Sequence, residues 1–154
     1  MLIAIGNSNC YNGAMKDPLL DFPGYSLRRA ASAVMGELIA RLEPLGLRFI
    51  DSSAMLLIDA NPRITASQLG RMLDIQRANM VPLVSKLENE GWISRTPLDG
   101  KSHSLALTEL GRVKLSEGSA VIAACEAELI GRVPEQHRAH LKPALDALWR
   151  QVRA

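Results

Sequence analysis

The sequence has few aromatic residues, only two cysteines and no long apolar run. Aromatics make up 4% of its 154 residues although 47% are hydrophobic, and this balance favours packed helices over a β-sandwich. Cys10 and Cys125 are too few and too far apart for a zinc or redox motif, which is typical of a protein from a reducing cytoplasm. We therefore predict a mostly α-helical, cytoplasmic protein with one domain.

A targeting signal and a strong excess of charge are also lacking. The formal net charge is +2, so composition alone does not indicate a nucleic-acid binder. The apolar start at residues 1–5 is short and has no basic flank, which argues against a signal peptide, and no later run reaches the length of a membrane span. Residues 1–23 show no helical or strand periodicity and are predicted to form an irregular N-terminal arm.

Two amphipathic helices are predicted after this arm. Apolar residues recur every three or four positions over residues 25–42 and again over residues 51–60. Pro44 ends the first helix, and Asn61-Pro62 ends the second. Each helix is expected to bury its apolar face against the rest of the protein.

A third, shorter helix follows at residues 66–73. Thr65 and Gln68, three residues apart, form the pattern of a capping box, in which each side chain accepts a backbone N–H of the other residue. The corner after this helix falls at Asp74-Ile75. A short helix and a tight corner of this kind predict the first half of a helix-turn-helix.

The fourth helix is predicted to run from this corner to Asn89, where Gly91 terminates it. Pro82 conflicts with the pattern, because a proline inside a helix removes one backbone hydrogen bond. Either the axis bends there or the helix begins later than the corner. The inward residues of this helix are predicted to be Met80, Val84 and Leu87.

The pattern then changes from helical to alternating. Residues 92–98 and 103–107 are predicted to form two short strands, joined by residues 99–102. Lys101 makes the tip of this hairpin basic.

Two more helices complete the chain. Thr108 caps a long helix over residues 109–132, and Pro134 opens a last helix that Pro143 is predicted to kink or split. The apolar stripe of this last helix exceeds what one small domain must bury on a terminal helix, so part of it is assigned to a partner subunit. The predicted interface residues are Leu141, Leu145, Leu148, Trp149 and Val152.

A bracing helix, a tight turn, a second helix and a basic hairpin, in that order, predict a winged helix-turn-helix that reads duplex DNA. The second helix of this motif enters the major groove, where Arg pairs with guanine and Asn or Gln with adenine. Hydroxyl groups at the start of the first helix and cations on the hairpin contact phosphates or the minor groove. The predicted DNA-contacting residues are Thr65, Ser67, Gln76, Arg77, Asn79, Ser85, Lys86, Asn89, Arg95, Lys101 and His103.

The net positive charge of this region is small. Residues 62–104 hold six basic residues (Arg63, Arg71, Arg77, Lys86, Arg95, Lys101) and four acidic ones (Asp74, Glu88, Glu90, Asp99), a net charge of +2. Because phosphate contacts supply most non-specific affinity, a homodimer is needed to hold a duplex tightly. On an isolated helix such polar residues would simply be solvated, and it is the hairpin after the helix that favours DNA reading.

Other functions remain as alternatives. A winged helix can serve as a protein-interaction or dimerisation module that reads no DNA, Cys10 could sense oxidants, and Cys125 is more typical of a small core residue. Glu135, His137 and His140 could offer metal ligands, although zinc sites usually need three or four. No glycine-rich phosphate loop, nucleophile elbow or acid–base pair indicates an enzyme, and no cofactor is expected.

Several short runs match the pattern of a known family. They are Leu45-Gly46-Leu47, Asn61-Pro62-Arg63-Ile64-Thr65, Arg77-Ala78-Asn79-Met80-Val81-Pro82-Leu83-Val84, Leu87-Glu88 with Gly91, Asp99-Gly100-Lys101, and Leu107-Thr108 with Gly111. On these runs, from Tyr25 onward, the sequence resembles the MarR family of bacterial winged helix-turn-helix regulators.

The resemblance implies one domain over residues 24–154, with a winged helix-turn-helix core at 46–108 and dimerisation helices at 25–43 and 109–154. It also implies a homodimer that binds a pseudo-palindromic operator, usually represses nearby genes, and releases DNA when a small aromatic or phenolic acid binds. The family's ligand pocket lies near the first, second and fifth helices, which makes candidates of Arg28, Arg29, Ser52 and Met55. From the residues alone, solvated arginines and a core methionine are the simpler interpretation.

Overall fold

The computed structural model describes residues 16–98 and 102–152, the last two of them by their backbone alone. The chain divides into two compact units, Met1–Ser32 and Ala33–Ala154. The described helices and strands are, in chain order, α1 Pro23–Leu42, α2 Phe49–Ala60, α3 Ala66–Leu73, α4 Arg77–Asn89, β1 Ile93–Pro97, β2 His103–Leu107, α5 Glu109–Arg132 and α6 Glu135–Val152. The predicted fold class, mostly α with a small β-hairpin, is confirmed.

The described end of the N-terminal arm is helical, which corrects the prediction of an irregular segment there, whereas residues 1–15 of the arm lie outside the described residues. A 3₁₀ helix spans Pro18–Asp21, and the Asp17 carboxylate accepts a hydrogen bond of 3.1 Å from the Leu19 N–H. An aspartate at the N-cap followed by a proline favours such a turn. α1 then begins at Pro23, slightly earlier than predicted.

The capping box predicted at the start of α3 is confirmed. The Thr65 hydroxyl accepts the Gln68 N–H at 3.3 Å, and the side-chain oxygen of Gln68 accepts the Thr65 N–H at 2.8 Å. At the other end of α3, Asp74 adopts a φ of 56°, and the Ile75 N–H donates to the Gly70 carbonyl at 2.9 Å. This left-handed residue turns the chain from α3 into α4, as a helix-turn-helix requires.

α4 forms a single helix in spite of Pro82. Pro82 removes one backbone N–H but is exposed, so its ring stays in solvent. The helix ends as predicted, because Gly91 has a φ of 71° and the Trp92 N–H donates to the Leu87 carbonyl at 2.9 Å. The residues predicted to point inward are all buried: Met80, Val84 and Leu87.

The hairpin is attached to the start of α3. β1 and β2 pair antiparallel with Ile93 opposite Leu107 and Arg95 opposite Leu105. The Leu105 N–H also donates to the Ile64 carbonyl at 2.8 Å. This bond fixes the hairpin beside the helix-turn-helix, while its tip at residues 99–101 lies outside the described residues.

α5 packs directly on the base of the hairpin. The Thr108 hydroxyl accepts the Gly111 N–H at 3.0 Å and donates to the Gly91 carbonyl at 2.6 Å. A Cβ added to Gly111 would lie 1.9 Å from the Trp92 carbonyl oxygen. Only glycine therefore allows this approach, and the predicted helix over residues 109–132 with its threonine cap is confirmed.

α6 runs through Pro143 as one helix, so of the two predicted outcomes, a kink or a split, the split does not occur. Among the helices of the described ranges, none combines the length and the hydropathy needed to cross a lipid bilayer.

Four charged side chains join the second half of α1 to α5. Arg41 donates to both carboxylate oxygens of Glu128 at 2.7 and 2.6 Å, and Arg132 donates to those of Glu37 at 2.8 and 3.0 Å. Glu37 also pairs with Arg41, so that charges of opposite sign alternate around the group. The hydrogen bond from Arg132 holds the pKa of Glu37 below its usual range.

Candidate nucleic-acid interface

A cleft of ≈ 800 Å³ opens between α3, α4 and the hairpin. The capping box, the corner at Asp74 and the attachment of the hairpin bring its walls together from distant parts of the sequence. Seven of the eleven residues predicted to contact DNA line it: Thr65, Ser67, Gln76, Arg77, Ser85, Arg95 and His103.

Positive charge prevails in this cleft. Among the described residues that line it, the charged ones are Arg71, Arg77, Arg95 and Asp74, besides His103. Arg95 on the hairpin forms an ion pair of 2.9 Å with Glu88 at the end of α4. Because Glu88 offsets Arg95, the guanidinium groups of Arg71 and Arg77 stand against the single lining carboxylate of Asp74. This net positive charge suits the binding of a polyanion.

Ten of the described lining residues were not among the predicted contacts, and two of them, Arg71 and Val81, are exposed side chains on α3 and α4. Each lies four residues after a predicted contact, Arg71 after Ser67 and Val81 after Arg77. Residues four apart share one face of a helix, so the same spacing that identified the inward residues could have found them.

Lys86 does not point outward as predicted. Its ammonium nitrogen lies 2.6 Å from a carboxylate oxygen of Asp51 and 5.7 Å from the centre of the Trp92 ring. The prediction that Lys86 contacts DNA is therefore not supported, because the charge is already paired inside the protein. The other two predicted contacts on α4, Asn79 and Asn89, are exposed but lie outside the cleft.

Asp51 is a fully buried carboxylate in the first turn of α2. Arg48 donates to it through its backbone N–H at 3.0 Å and through its guanidinium at 2.6 Å, and Lys86 donates from α4. Burial alone would raise the pKa of Asp51, but the hydrogen bonds from Arg48 and Lys86 outweigh it and hold the pKa below its ordinary value. This carboxylate ties α4 to the start of α2.

The residues proposed for a ligand pocket have very different surroundings. In the N-terminal unit the guanidinium carbons of Arg28 and Arg29 lie 5.2 and 5.9 Å from the centre of the Tyr25 ring. Met55 is fully buried in the hydrophobic core, so its proposed role as a lining residue is not supported. The Ser52 hydroxyl is also buried, and among the described residues it has no hydrogen-bond partner.

The apolar stripe predicted on α6 faces solvent in the single chain. Leu145 is 36% exposed, Leu148 56% and Trp149 50%, whereas Leu141 is half-buried. The side chain of Val152 lies outside the described residues. Packing within one subunit therefore does not cover this stripe.

The metal alternative finds little support. Glu135, His137 and His140 are exposed on α6, and across residues 16–98 and 102–152 no group of three or more His, Cys, Asp or Glu side chains could hold a metal ion. Cys125 is a buried core residue, as predicted, whereas Cys10 lies outside the described residues.

Three comparisons relate the chain to known proteins. A family model described as "MarR family" matches residues 52–102. The HTH-type transcriptional repressor Rv2887 of Mycobacterium tuberculosis is 27% identical over 127 residues, which cover 81% of this chain and 91% of that protein.

The solved structures that resemble this chain are also transcriptional repressors. The transcriptional repressor CouR is 31% identical, with a TM-score of 0.76 over 86% of this chain and 95% of its own. CouR bound to a 23-mer DNA duplex matches with a TM-score of 0.78 and 28% identity, over 92% of this chain and 100% of its own. At this identity and coverage, the chain belongs to the MarR family of winged helix-turn-helix transcriptional regulators.

Proposed function

We propose that this protein is a homodimeric transcriptional regulator that binds a pseudo-palindromic operator through its cleft and represses nearby genes. The observation that carries the proposal is the convergence of seven predicted DNA contacts, with three arginines, in one cleft beside a fixed hairpin. CouR bound to a DNA duplex and Rv2887 in complex with DNA support it by similarity. A regulator of this kind acts in the bacterial cytoplasm and needs no catalytic site.

Each wall of the cleft has its own role in this proposal. Arg77 in the first turn of α4 reaches a base edge and pairs with guanine, and Gln76 beside it reads adenine. Thr65 and Ser67 at the start of α3 contact a phosphate. His103 and the tip of the hairpin, with Lys101, lie against the flanking minor groove or backbone.

Arg77→Ala tests this assignment. The substitution should weaken operator binding by about 1–3 kcal/mol per half-site and relax the preference for guanine at the contacted position, while the log–log salt slope should change by less than the about 0.9 of a lost phosphate contact. Arg112→Ala is the matched control, because Arg112 is an exposed arginine on α5 that does not line the cleft. The affinity and the salt slope come from fluorescence anisotropy titrations at several salt concentrations.

The alternative, a winged helix that contacts protein and reads no DNA, predicts a different result. In that case the Arg77 and Arg112 variants would have the same duplex affinity and the same salt slope as the original protein, and the proposed function would be wrong.

The exposed stripe of α6 supports the dimer. Leu145, Leu148 and Trp149 lie on this stripe, and a two-fold pair of subunits would cover both copies. Such a dimer would present its two α4 helices to half-sites about one DNA turn apart, which is about 34–36 Å.

A small aromatic acid, or its thioester, is the proposed effector. CouR has been solved with p-coumaroyl-CoA, and Rv2887 with salicylic acid and with p-aminosalicylic acid. In the second unit of this chain the buried Ser52 hydroxyl, which has no hydrogen-bond partner among the described residues, offers a hydrogen-bonding group for such a ligand.

The effector is expected to lower operator affinity about 5- to 150-fold, which corresponds to a coupling of about 1–3 kcal/mol. Salicylate, p-coumarate and p-coumaroyl-CoA would be titrated into the preformed protein–duplex complex, with benzyl alcohol as an uncharged control. An operator affinity that none of these three compounds changes would contradict this part of the proposal.

A further inference from the structure

Val81 is an apolar side chain on the outward face of α4. It is 64% exposed and lines the cleft, whereas its neighbours Met80 and Leu83 are buried in the core. An exposed β-branched residue contributes little to a helix, because it loses side-chain freedom there. Core packing therefore does not explain the choice of valine at this position.

The residue after Val81 further disfavours a helical conformation at this position. Pro82 is also exposed, and a proline disfavours the helical conformation of the residue that precedes it. Val81 thus adopts a helical backbone against two local preferences while its side chain stays largely in solvent. Positions that break local rules without a packing gain are typical of functional sites.

Arg77, Val81 and Ser85 form one row along α4. They follow one another at intervals of four residues, so they share a face of the helix, and all three line the cleft. The row is polar at both ends and apolar at its centre. In the major groove the only apolar group on a base edge is the C5-methyl group of thymine.

We propose that Val81 reads a thymine in each operator half-site through van der Waals contact with the C5-methyl group. This assignment rests on the proposed function and adds a base preference to it. Arg77 pairs with guanine, as in the proposed function, and the valine between Arg77 and Ser85 distinguishes thymine from the other bases.

Deoxyuridine supplies the test, because it pairs with adenine as thymine does but lacks the methyl group. An operator would first be selected with the purified protein from random duplexes, and each of its thymines would then be replaced by deoxyuridine. One thymine of each half-site, at symmetric positions, should be sensitive to this replacement. There the affinity for the operator should fall about fourfold per half-site, which corresponds to about 0.8 kcal/mol per buried methyl group.

Two variants make the result specific. Val81→Ala should bind the thymine and deoxyuridine duplexes equally well at that position. Val113→Ala is the matched control, because Val113 is a 53% exposed valine on α5 outside the cleft, and it should keep the original discrimination. Circular dichroism spectra would establish that both variants fold.

Two results would overturn the proposal while the proposed function stands. One is an original protein that binds its operator but responds to no deoxyuridine replacement. The other is a Val81→Ala variant that still prefers thymine at the sensitive position. If no duplex is selected at all, the proposed function fails first and the base assignment fails with it.

Discussion

Replacement of the buried Asp51 by alanine is expected to lower the free energy of unfolding by about 3 kcal/mol. Asp51 is fully buried and accepts hydrogen bonds from Arg48 and Lys86, so its removal leaves two cations without their partner. The cost lies at the low end of the range for broken buried pairs, because the side chains of Arg48 and Lys86 are 57% and 30% exposed and can regain water. Urea unfolding followed by circular dichroism measures the loss.

Asp59→Ala is the matched control for this substitution. Asp59 lies on the same helix, is 52% exposed, and is 3.8 Å from Arg112. A surface pair of this kind contributes about 0–1 kcal/mol, so the control should unfold almost as the original protein does. Equal losses in the two variants would contradict the role assigned to the buried carboxylate.

The effect of Asp51 should also depend on pH. Its pKa in the folded protein lies below the ordinary value of 3.8, so its ionised form stabilises the fold fully above that value. The contribution is lost as the pH falls through the lower, folded pKa. The difference in unfolding free energy between the original protein and Asp51→Asn should therefore stay constant at neutral and mildly acidic pH and shrink below about pH 4.

Leu148→Glu is expected to give a monomer and to weaken operator binding by about 100- to 10,000-fold, because the second half-site is then no longer bound intramolecularly. Leu148 is 56% exposed on the α6 stripe, and a buried, unpaired carboxylate at a subunit interface is strongly unfavourable. Sedimentation velocity at micromolar concentration measures the oligomeric state, and anisotropy measures the affinity.

Leu56→Glu is the control, because Leu56 is an exposed leucine, at 43%, on α2, outside both the predicted dimerisation helices and the cleft. This variant should stay dimeric. A Leu148→Glu protein that remains a dimer with full operator affinity would show that the interface lies elsewhere.

Local signals predicted most of the fold because caps and terminators act within a few residues. The capping box of Thr65 and Gln68 predicted the start of α3, and Gly91 predicted the end of α4. The structure contains both the capping box and the left-handed Gly91. The turn at Pro18–Asp21 was not predicted, because it is too short to show periodicity.

The sequence predicted most residues of the candidate site, but it did not predict where each of their side chains points. Helical spacing tells which residues share a face, but it does not tell where a long side chain bends. Lys86 is next to the buried Leu87, and its flexible stem carries the charge to Asp51, which lies 35 residues away in the sequence. The position of that partner follows only from the tertiary fold, which places the first turn of α2 within reach of Lys86 on α4.

Selection of duplexes from a random pool by the purified protein tests the central claim most directly. The account predicts enrichment of a pseudo-palindrome whose half-site centres lie about 10 base pairs apart. It also predicts that the Arg77→Ala variant loses the guanine preference of each half-site, whereas Arg112→Ala keeps it. A pool that shows no enriched sequence after repeated rounds with the dimeric protein would contradict it.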